Sequence, residues 1–327
     1  MLYEKDGDLS LIRASRVAVL GFGAQGRAQA LNLRDSGVDV VVGLRENSAS
    51  QTKAESEGLK VATPAAAVTS ADVVAMLVPD TVQPAVYQQM VAPHLKAGGA
   101  LVFAHGYCVN FKQITPRQDM DILLVAPLGV GEQVRAVYER GGGVPGMIAV
   151  KQDASGNGRA LALSYALANG HGRAGIIETD FAQETETDLF AEQAVLCGGL
   201  THLIQAGFDT LVEAGYDPQI AYFCCLHEVK LLADLIHTRG LAGMRESISP
   251  IAEYGDYTRG PRVINEQSRN AMRDMLAEIR DGSFARELAA DMANDQATLQ
   301  KGRQAAREHL IETTGKRLRD AMPWLKT

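Results

Sequence analysis

Val17-Ala18-Val19-Leu20-Gly21-Phe22-Gly23-Ala24-Gln25-Gly26 is the stretch that decides the fold. Four apolar residues make a strand. Three glycines follow at the spacing G-x-G-x-x-G, and Arg27–Asp35 then reads as a helix. Gly21 permits a tight turn, Gly23 lets a pyrophosphate approach the backbone, and Gly26 brings helix and sheet close. The helix start offers free N–H groups and the positive end of its dipole. Because a strand precedes the glycines and a helix follows, the segment Gly21, Phe22, Gly23, Ala24, Gln25 and Gly26 is read as a dinucleotide-binding turn.

Working outward, further short apolar strands are expected at Val38–Leu44, Val73–Val78, Ala100–Ala104, Asp121–Ala126 and Met147–Val150, with Ile176–Glu178 as one more. Helix or turn signals separate them. Alternating β and α segments imply parallel pairing through right-handed crossovers. After about residue 180 apolar residues recur every three or four positions. Leu189, Leu196, Leu200, Leu203, Ile204 and Leu211 do so, as do Pro218–His237, Asn265–Ile279 and Gln300–Met322, before the stop signal of Pro323. The expected architecture is a doubly wound, mostly parallel Rossmann domain over residues 1–180. An all-α domain follows over residues 181–327.

The chain has 327 residues, with 32 Lys+Arg against 39 Asp+Glu and a net charge of -7. An acidic chain argues against nucleic acid or an anionic membrane as the main partner. Cys108, Cys197, Cys224 and Cys225 show no metal-type C-x-x-C pair and read as reduced thiols, hence a cytoplasmic protein. The first residues are charged at once, without a secretory h-region, and no apolar run reaches about 18 residues.

The end of the second strand selects the dinucleotide. An NAD site usually places an acid there. Here Arg45, Ser48 and Ser50 offer a guanidinium fork and two hydroxyls, a pocket for a 2′-phosphate. NADPH is therefore expected over NADH, although Glu46 beside Arg45 opposes it.

Asp188 and Glu192 lie four apart and share a helix face. Taken alone such a pair reads as a solvated face; bordering an apolar stripe, it reads instead as needing a cation or a proton, and oxygen-only ligands favour Mg²⁺. Glu228 sits in Ala221–Ile236, a helix apolar nearly all round that should be buried, so Glu228 is paired or ligating. His227 points about 100° away and is read as core or surface.

At this point the sequence resembles the ketol-acid reductoisomerases. The motifs are Gly21–Gly26, Leu44-Arg45 with Ser48 and Ser50, Glu184-Thr-Glu-Thr-Asp-Leu-Phe190, Glu192-Gln-Ala-Val-Leu-Cys-Gly-Gly199, Ala252-Glu-Tyr-Gly255 and Met322-Pro-Trp324. The similarity is to the short class I form and spans nearly the whole chain. It implies a knotted helical domain and a homodimer, or a larger assembly, whose active site draws on both subunits. It implies a Mg²⁺-dependent alkyl shift in a small 2-aceto-2-hydroxy acid, then reduction of the new ketone by NADPH, for valine and isoleucine synthesis. Two ions would polarise the ketol oxygens. Carried over, Asp188 is the metal-bridging aspartate, Glu192 a ligand, Glu228 a glutamate that serves the partner's site, Ser249 a serine near the substrate carboxylate, and His105 the strand-end histidine. Pro79, Asp80, His105 and Gly131 join the nucleotide contacts.

Three departures fall where the chemistry should be. The family's lysine after the strand-end proline is Leu128, which carries neither proton nor charge. A family glutamate is replaced by Cys224, a soft ligand poor for Mg²⁺. Leu128-Gly-Val-Gly-Glu132 lacks the family's proline and histidine. A smaller change lies in the nucleotide helix, where Arg27 and Gln29 stand at positions that the family often fills with histidines. The expectation is an NADPH-dependent reductase of a small 2-keto acid or related carbonyl or imine, with Mg²⁺ at one site and alkyl migration weakened or lost. Two alternatives stand beside it: a working reductoisomerase and a non-catalytic NADP(H)-binding protein. A zinc ion on Cys224 and Glu228 is a further option.

Overall fold

The structure, a computed structural model, describes residues 1–325. The chain forms two compact units that divide between Thr187 and Asp188.

The first unit is an eight-stranded sheet: β1 Arg16–Leu20, β2 Asp39–Gly43, β3 Lys60–Ala62, β4 Val73–Met76, β5 Ala100–Phe103, β6 Asp121–Pro127, β7 Gly146–Gln152 and β8 Ile176–Glu178. Their order across the sheet is β3-β2-β1-β4-β5-β6-β7-β8. Val17, Val19, Val73, Ala75, Val102, Leu123 and Val125 are buried, as near-continuous apolar strands covered on both faces require. Each such valine or leucine contributes about 1.5–3 kcal/mol. Leu2 extends the far edge by an antiparallel bridge to Ile176.

Two features differ from the sequence reading. Lys60–Ala62 is a strand that three residues were too few to signal. More telling, β7 runs antiparallel to β6, with Leu124 opposite Ala149 and Pro127 opposite Gly146. The segment between them includes a nine-residue helix, Gly131–Glu139, but it does not cross the sheet. Gly141 takes φ +82°, and a Cβ at Gly143 would collide with the Gly170 carbonyl. The glycine run returns the chain at the edge it left. The remaining strand pairs are parallel.

The second unit is helical among its described residues. Its main helices are Gly198–Glu213, Pro218–Tyr222, Glu228–Glu246, Pro250–Val263, Glu266–Arg280, Ser283–Ala293, Ala297–Glu308 and Leu310–Asp320. Helix starts carry caps: Asp217 accepts from the Gln219 N–H and Asn265 from the Ser268 N–H. The periodic run Gln300–Met322 breaks at His309. Its Nδ1 accepts the Ile311 N–H at 3.2 Å, and so begins a new helix.

A small core gathers Phe208, Ala221, Tyr222 and Ile311. Around it much apolar surface is uncovered. Leu231, Leu241, Tyr254 and Ile251 are exposed, Ile251 by 86%. The expected burial of the Glu228 helix is therefore not met within one chain, since a helix apolar on most sides needs more neighbours than this unit supplies. The helical run Phe181–Glu213 is also long and apolar enough, by length and composition, to cross a membrane. The expectation that no run reaches that length fails because scattered Gly, Thr and Gln hide it from a search for unbroken apolar residues.

Candidate active site

The glycine turn joins β1 to the helix Ala24–Asp35. Gly21 takes φ +98°, and a Cβ there would lie 2.8 Å from the Leu77 carbonyl oxygen. A Cβ on Gly26 would collide with the Gly21 carbonyl, whereas one on Gly23 would meet nothing. So Gly21 and Gly26 serve packing, while Gly23 faces open space where a phosphate fits. Phe22 is buried, and Ala24 is exposed at the first turn of the helix. β1 lies between β2 and β4, so the strand order reverses at the glycine turn. Open α/β sheets bind ligands at such a reversal. Pro79 and Asp80 follow β4 at the same edge.

Beyond β2, Arg45 is exposed. Asn47 takes φ +59°. The Ser48 N–H donates to the Arg45 carbonyl at 3.1 Å, and the Ser50 N–H to Ser48 Oγ at 3.3 Å. Arg45, Ser48 and Ser50 thus share one tight loop.

The loop after β6 is seated on the glycine turn. Gln25 Nε2 donates to the Gly129 carbonyl at 2.9 Å. A Cβ on Gly131 would collide with the Ala24 carbonyl, so Gly131 permits the contact. Leu128, exposed, donates its N–H to the Pro145 carbonyl at 2.8 Å.

His105 stands two residues beyond β5. Its Nδ1 donates to Glu184 Oε1 at 2.9 Å, while Glu184 Oε2 accepts the Gly106 N–H at 2.8 Å. Glu184 is buried. Gly106 lacks the Cβ that would collide with Thr185 Oγ1, which lets the helix Phe181–Ala191 come this close. The bond fixes the proton on Nδ1, as carboxylate–histidine pairs do. Burial raises the Asp80 carboxyl above its ordinary range; His105 opposes the shift and Glu184 adds to it. Asp80 Oδ1 accepts from Gln83 Nε2 at 3.0 Å. Burial, with Asp80 nearby, pushes the Cys108 thiol up to about 12.

Glu184, Asp188 and Glu192 form one row at a spacing of four. Asp188 rides on the same continuous helix as Glu184, and ligand atoms of His105, Glu184 and Asp188 lie within 4.8 Å of one another. This trio suits Mg²⁺ poorly by itself. Both Glu184 oxygens already hold hydrogens, and an imidazole is a weak partner for a hard ion. Asp188 and Glu192 carry the oxygens suited to such an ion.

Glu192 is exposed and opens a widened turn, where the Cys197 N–H reaches back five residues to the Glu192 carbonyl at 2.9 Å. Gly198 and Gly199 allow it, since Cβ atoms there would collide with the carbonyls of Gln193 and Ala194. A second such turn, Phe223–His227, contains Cys224 and precedes Glu228; both residues are exposed. Widened turns of this kind cluster at functional sites. Among the described residues, Glu192, Cys224 and Glu228 lie outside the trio within 4.8 Å. Ser249 caps the helix Pro250–Val263, its hydroxyl accepting the Ala252 N–H at 3.2 Å. His227 is half-buried beside Phe223, their ring centroids 5.4 Å apart.

Sequence reasoning named Glu184 only within a motif and missed its role. The signal was there, because Glu184 extends the Asp188–Glu192 row by one turn. The seating of Gly129 on Gln25 left no such trace.

Residues 11–175 match the family model described as acetohydroxy acid isomeroreductase, NADPH-binding domain. Residues 181–324 match that of the ketol-acid reductoisomerase C-terminal domain. Among solved structures, an NADH-preferring ketol-acid reductoisomerase from an uncultured archean is 44% identical, with a TM-score of 0.96 over 98% of each chain. A putative oxidoreductase from Jannaschia sp. CCS1 is 16% identical, with a TM-score of 0.60 over 82% of this chain and 97% of that one. A semialdehyde dehydrogenase NAD-binding protein from Cupriavidus necator is 19% identical, with a TM-score of 0.60 over 82% and 99%. The last two share the fold alone. A glycine turn at the strand reversal, a strand-end histidine held by a buried glutamate, and two family models that together span most of the sequence lead to one assignment: the chain belongs to the ketol-acid reductoisomerase family and is an oxidoreductase of that family.

Proposed function

We propose that this protein reduces a small 2-keto acid, or a related carbonyl or imine, with NADPH, and that its alkyl-migration step is weakened or lost. In this reading residues 1–180 hold the nucleotide and residues 181–327 supply the carboxylates. The observation that carries it is an asymmetry. Gly21, Gly23 and Gly26 form the glycine turn, and His105 is hydrogen-bonded to the buried Glu184. The strand-end position after Pro127 holds an aliphatic Leu128, and the turn before Glu228 holds the thiol of Cys224.

The bound dihydronicotinamide supplies a hydride. Gly23 leaves room for the pyrophosphate, with Phe22, Ala24, Gln25, Pro79, Asp80 and Gly131 around it. Arg45, Ser48 and Ser50 receive the 2′-phosphate, which favours NADPH over NADH. His105 delivers a proton to the substrate oxygen or nitrogen, and Glu184 steadies the imidazolium. Asp188 and Glu192, with Glu228 from a second copy in a homodimer, would hold one Mg²⁺, which polarises the carbonyl when bound. Ser249 faces the substrate carboxylate in that arrangement. The uncovered apolar faces of the helical unit support such a dimer. A cytoplasmic setting fits its four free thiols.

The second reading is an ordinary reductoisomerase acting on 2-acetolactate, favoured by 44% identity over 98% of both chains to a protein of that name. Restoring the family residues separates them. Leu128→Lys combined with Cys224→Glu should raise turnover of 2-acetolactate at least tenfold, with NADPH as donor and Mg²⁺ present. Turnover that is already high and unchanged by the pair favours the ordinary enzyme.

A further inference from the structure

The end of β6 carries two apolar side chains that the core leaves uncovered. Leu128 is 44% exposed and Val130 is 67% exposed. A loosely held loop is not the reason. The Leu128 N–H is bonded to Pro145, the Gly129 carbonyl accepts from Gln25, and Gly131 abuts Ala24. The loop is fixed to Pro145 at Leu128 and to the nucleotide turn at Gly129 and Gly131.

Its neighbour is the strand that carries His105. Phe103 and Leu124 are partners in the β5–β6 ladder, so His105 and Leu128 extend from adjacent strand ends. Adjacent strands lie about 4.8 Å apart. The carboxyl ends of such strands line the ligand crevice. Leu128 and Val130 therefore flank the place where hydride and proton arrive.

Resting on the reductase reading above, we propose that Leu128 and Val130 form an apolar wall for the substrate's side chain. The substrate is then a 2-keto acid, or the matching imine, bearing an aliphatic chain of three or more carbons. A second charged group at that wall would lose water and gain no partner. An aliphatic chain gains about fourfold in affinity per methylene, the ratio that ~0.8 kcal/mol gives.

The test is kcat/KM with NADPH across pyruvate, 2-ketobutyrate, 2-ketovalerate and 2-ketohexanoate, with 2-ketoglutarate as the charged counterpart. Wild type, Leu128→Ala and Val130→Ala are compared, the last an exposed position whose truncation disturbs no core. The expected result is a rise of about fourfold per methylene, a poor 2-ketoglutarate, and a flattened series in both variants at unchanged NADPH affinity. A flat wild-type series, or a slope that neither variant alters, overturns the proposal. So does a loss of self-association in Leu128→Ala with the slope intact, because the patch is then a subunit contact. Calorimetric titration of acetate, butyrate and hexanoate into the protein–NADP⁺ complex separates this proposal from the reading beneath it. Binding that climbs with chain length and flattens in Leu128→Ala upholds the wall even if no keto acid is reduced. Binding without that slope removes it.

Discussion

Glu184 holds two groups with one carboxylate, the His105 ring and the Gly106 N–H. Glu184→Gln keeps the shape and removes the charge that steadies a protonated imidazole. The expected outcome is a fall in kcat of about tenfold to a hundredfold, within the range that acid–base partners contribute, at unchanged nucleotide affinity. An unaltered kcat would show that His105 works without it. His171 is a second informative residue. It is wholly buried, its Nδ1 donates to the Val144 carbonyl at 2.7 Å, and burial holds its pKa below the ordinary value. The native protein keeps this ring neutral, while the unfolded chain binds a proton as the pH falls through about 6.5. Stability is therefore full above that range and declines below it, by up to about 1.4 kcal/mol per pH unit. Urea unfolding from pH 7.5 to 5.5 should show this slope in wild type and a shallower one in His171→Phe. Equal slopes would assign the acid sensitivity to other groups. His171 did not announce its role in the sequence, because its burial comes from neighbours far along the chain, whereas Glu184 left a trace only as one more turn of the Asp188–Glu192 row.

Among elements, the widened turn at Glu192 depends most visibly on composition. Gly199→Ala places a methyl against the Ala194 carbonyl and forces the turn toward regular helix. Destabilisation of about 1–3 kcal/mol is expected, with weaker Mg²⁺ binding and intact NADPH binding. Unchanged stability would mean that the turn accommodates a Cβ. The sequence made the central strands legible, since β1, β4, β5 and β6 are buried on both faces and carry unbroken apolar runs. It hid β3, which is three residues long, and the reversed direction of β7, which depends on a glycine run packing against Gly170. Apolar periodicity found the late helices but not the break at His309, which one side-chain cap creates.

For the whole molecule, the presence of a nucleotide-binding domain was readable from local spacing. The three glycines fall within Gly21–Gly26, and Arg45, Ser48 and Ser50 within another short stretch. The carboxylate half was readable only in part. Glu184, Asp188 and Glu192 share a helix row, but Glu192, Cys224 and Glu228 are exposed in the single chain. The helical unit also leaves apolar side chains such as Leu231, Leu241 and Ile251 exposed, and the homodimer of the proposed function would cover them. Retained hydride delivery beside a reduced carboxylate set is the central claim. It is tested most directly by one ratio: NADPH oxidation by the wild-type protein with Mg²⁺, on 2-acetolactate and on the already rearranged 3-hydroxy-2-keto acid. The rearranged acid should be consumed at least a hundredfold faster, which corresponds to a barrier about 2.7 kcal/mol higher for the route through alkyl migration. Comparable rates on the two compounds would contradict it.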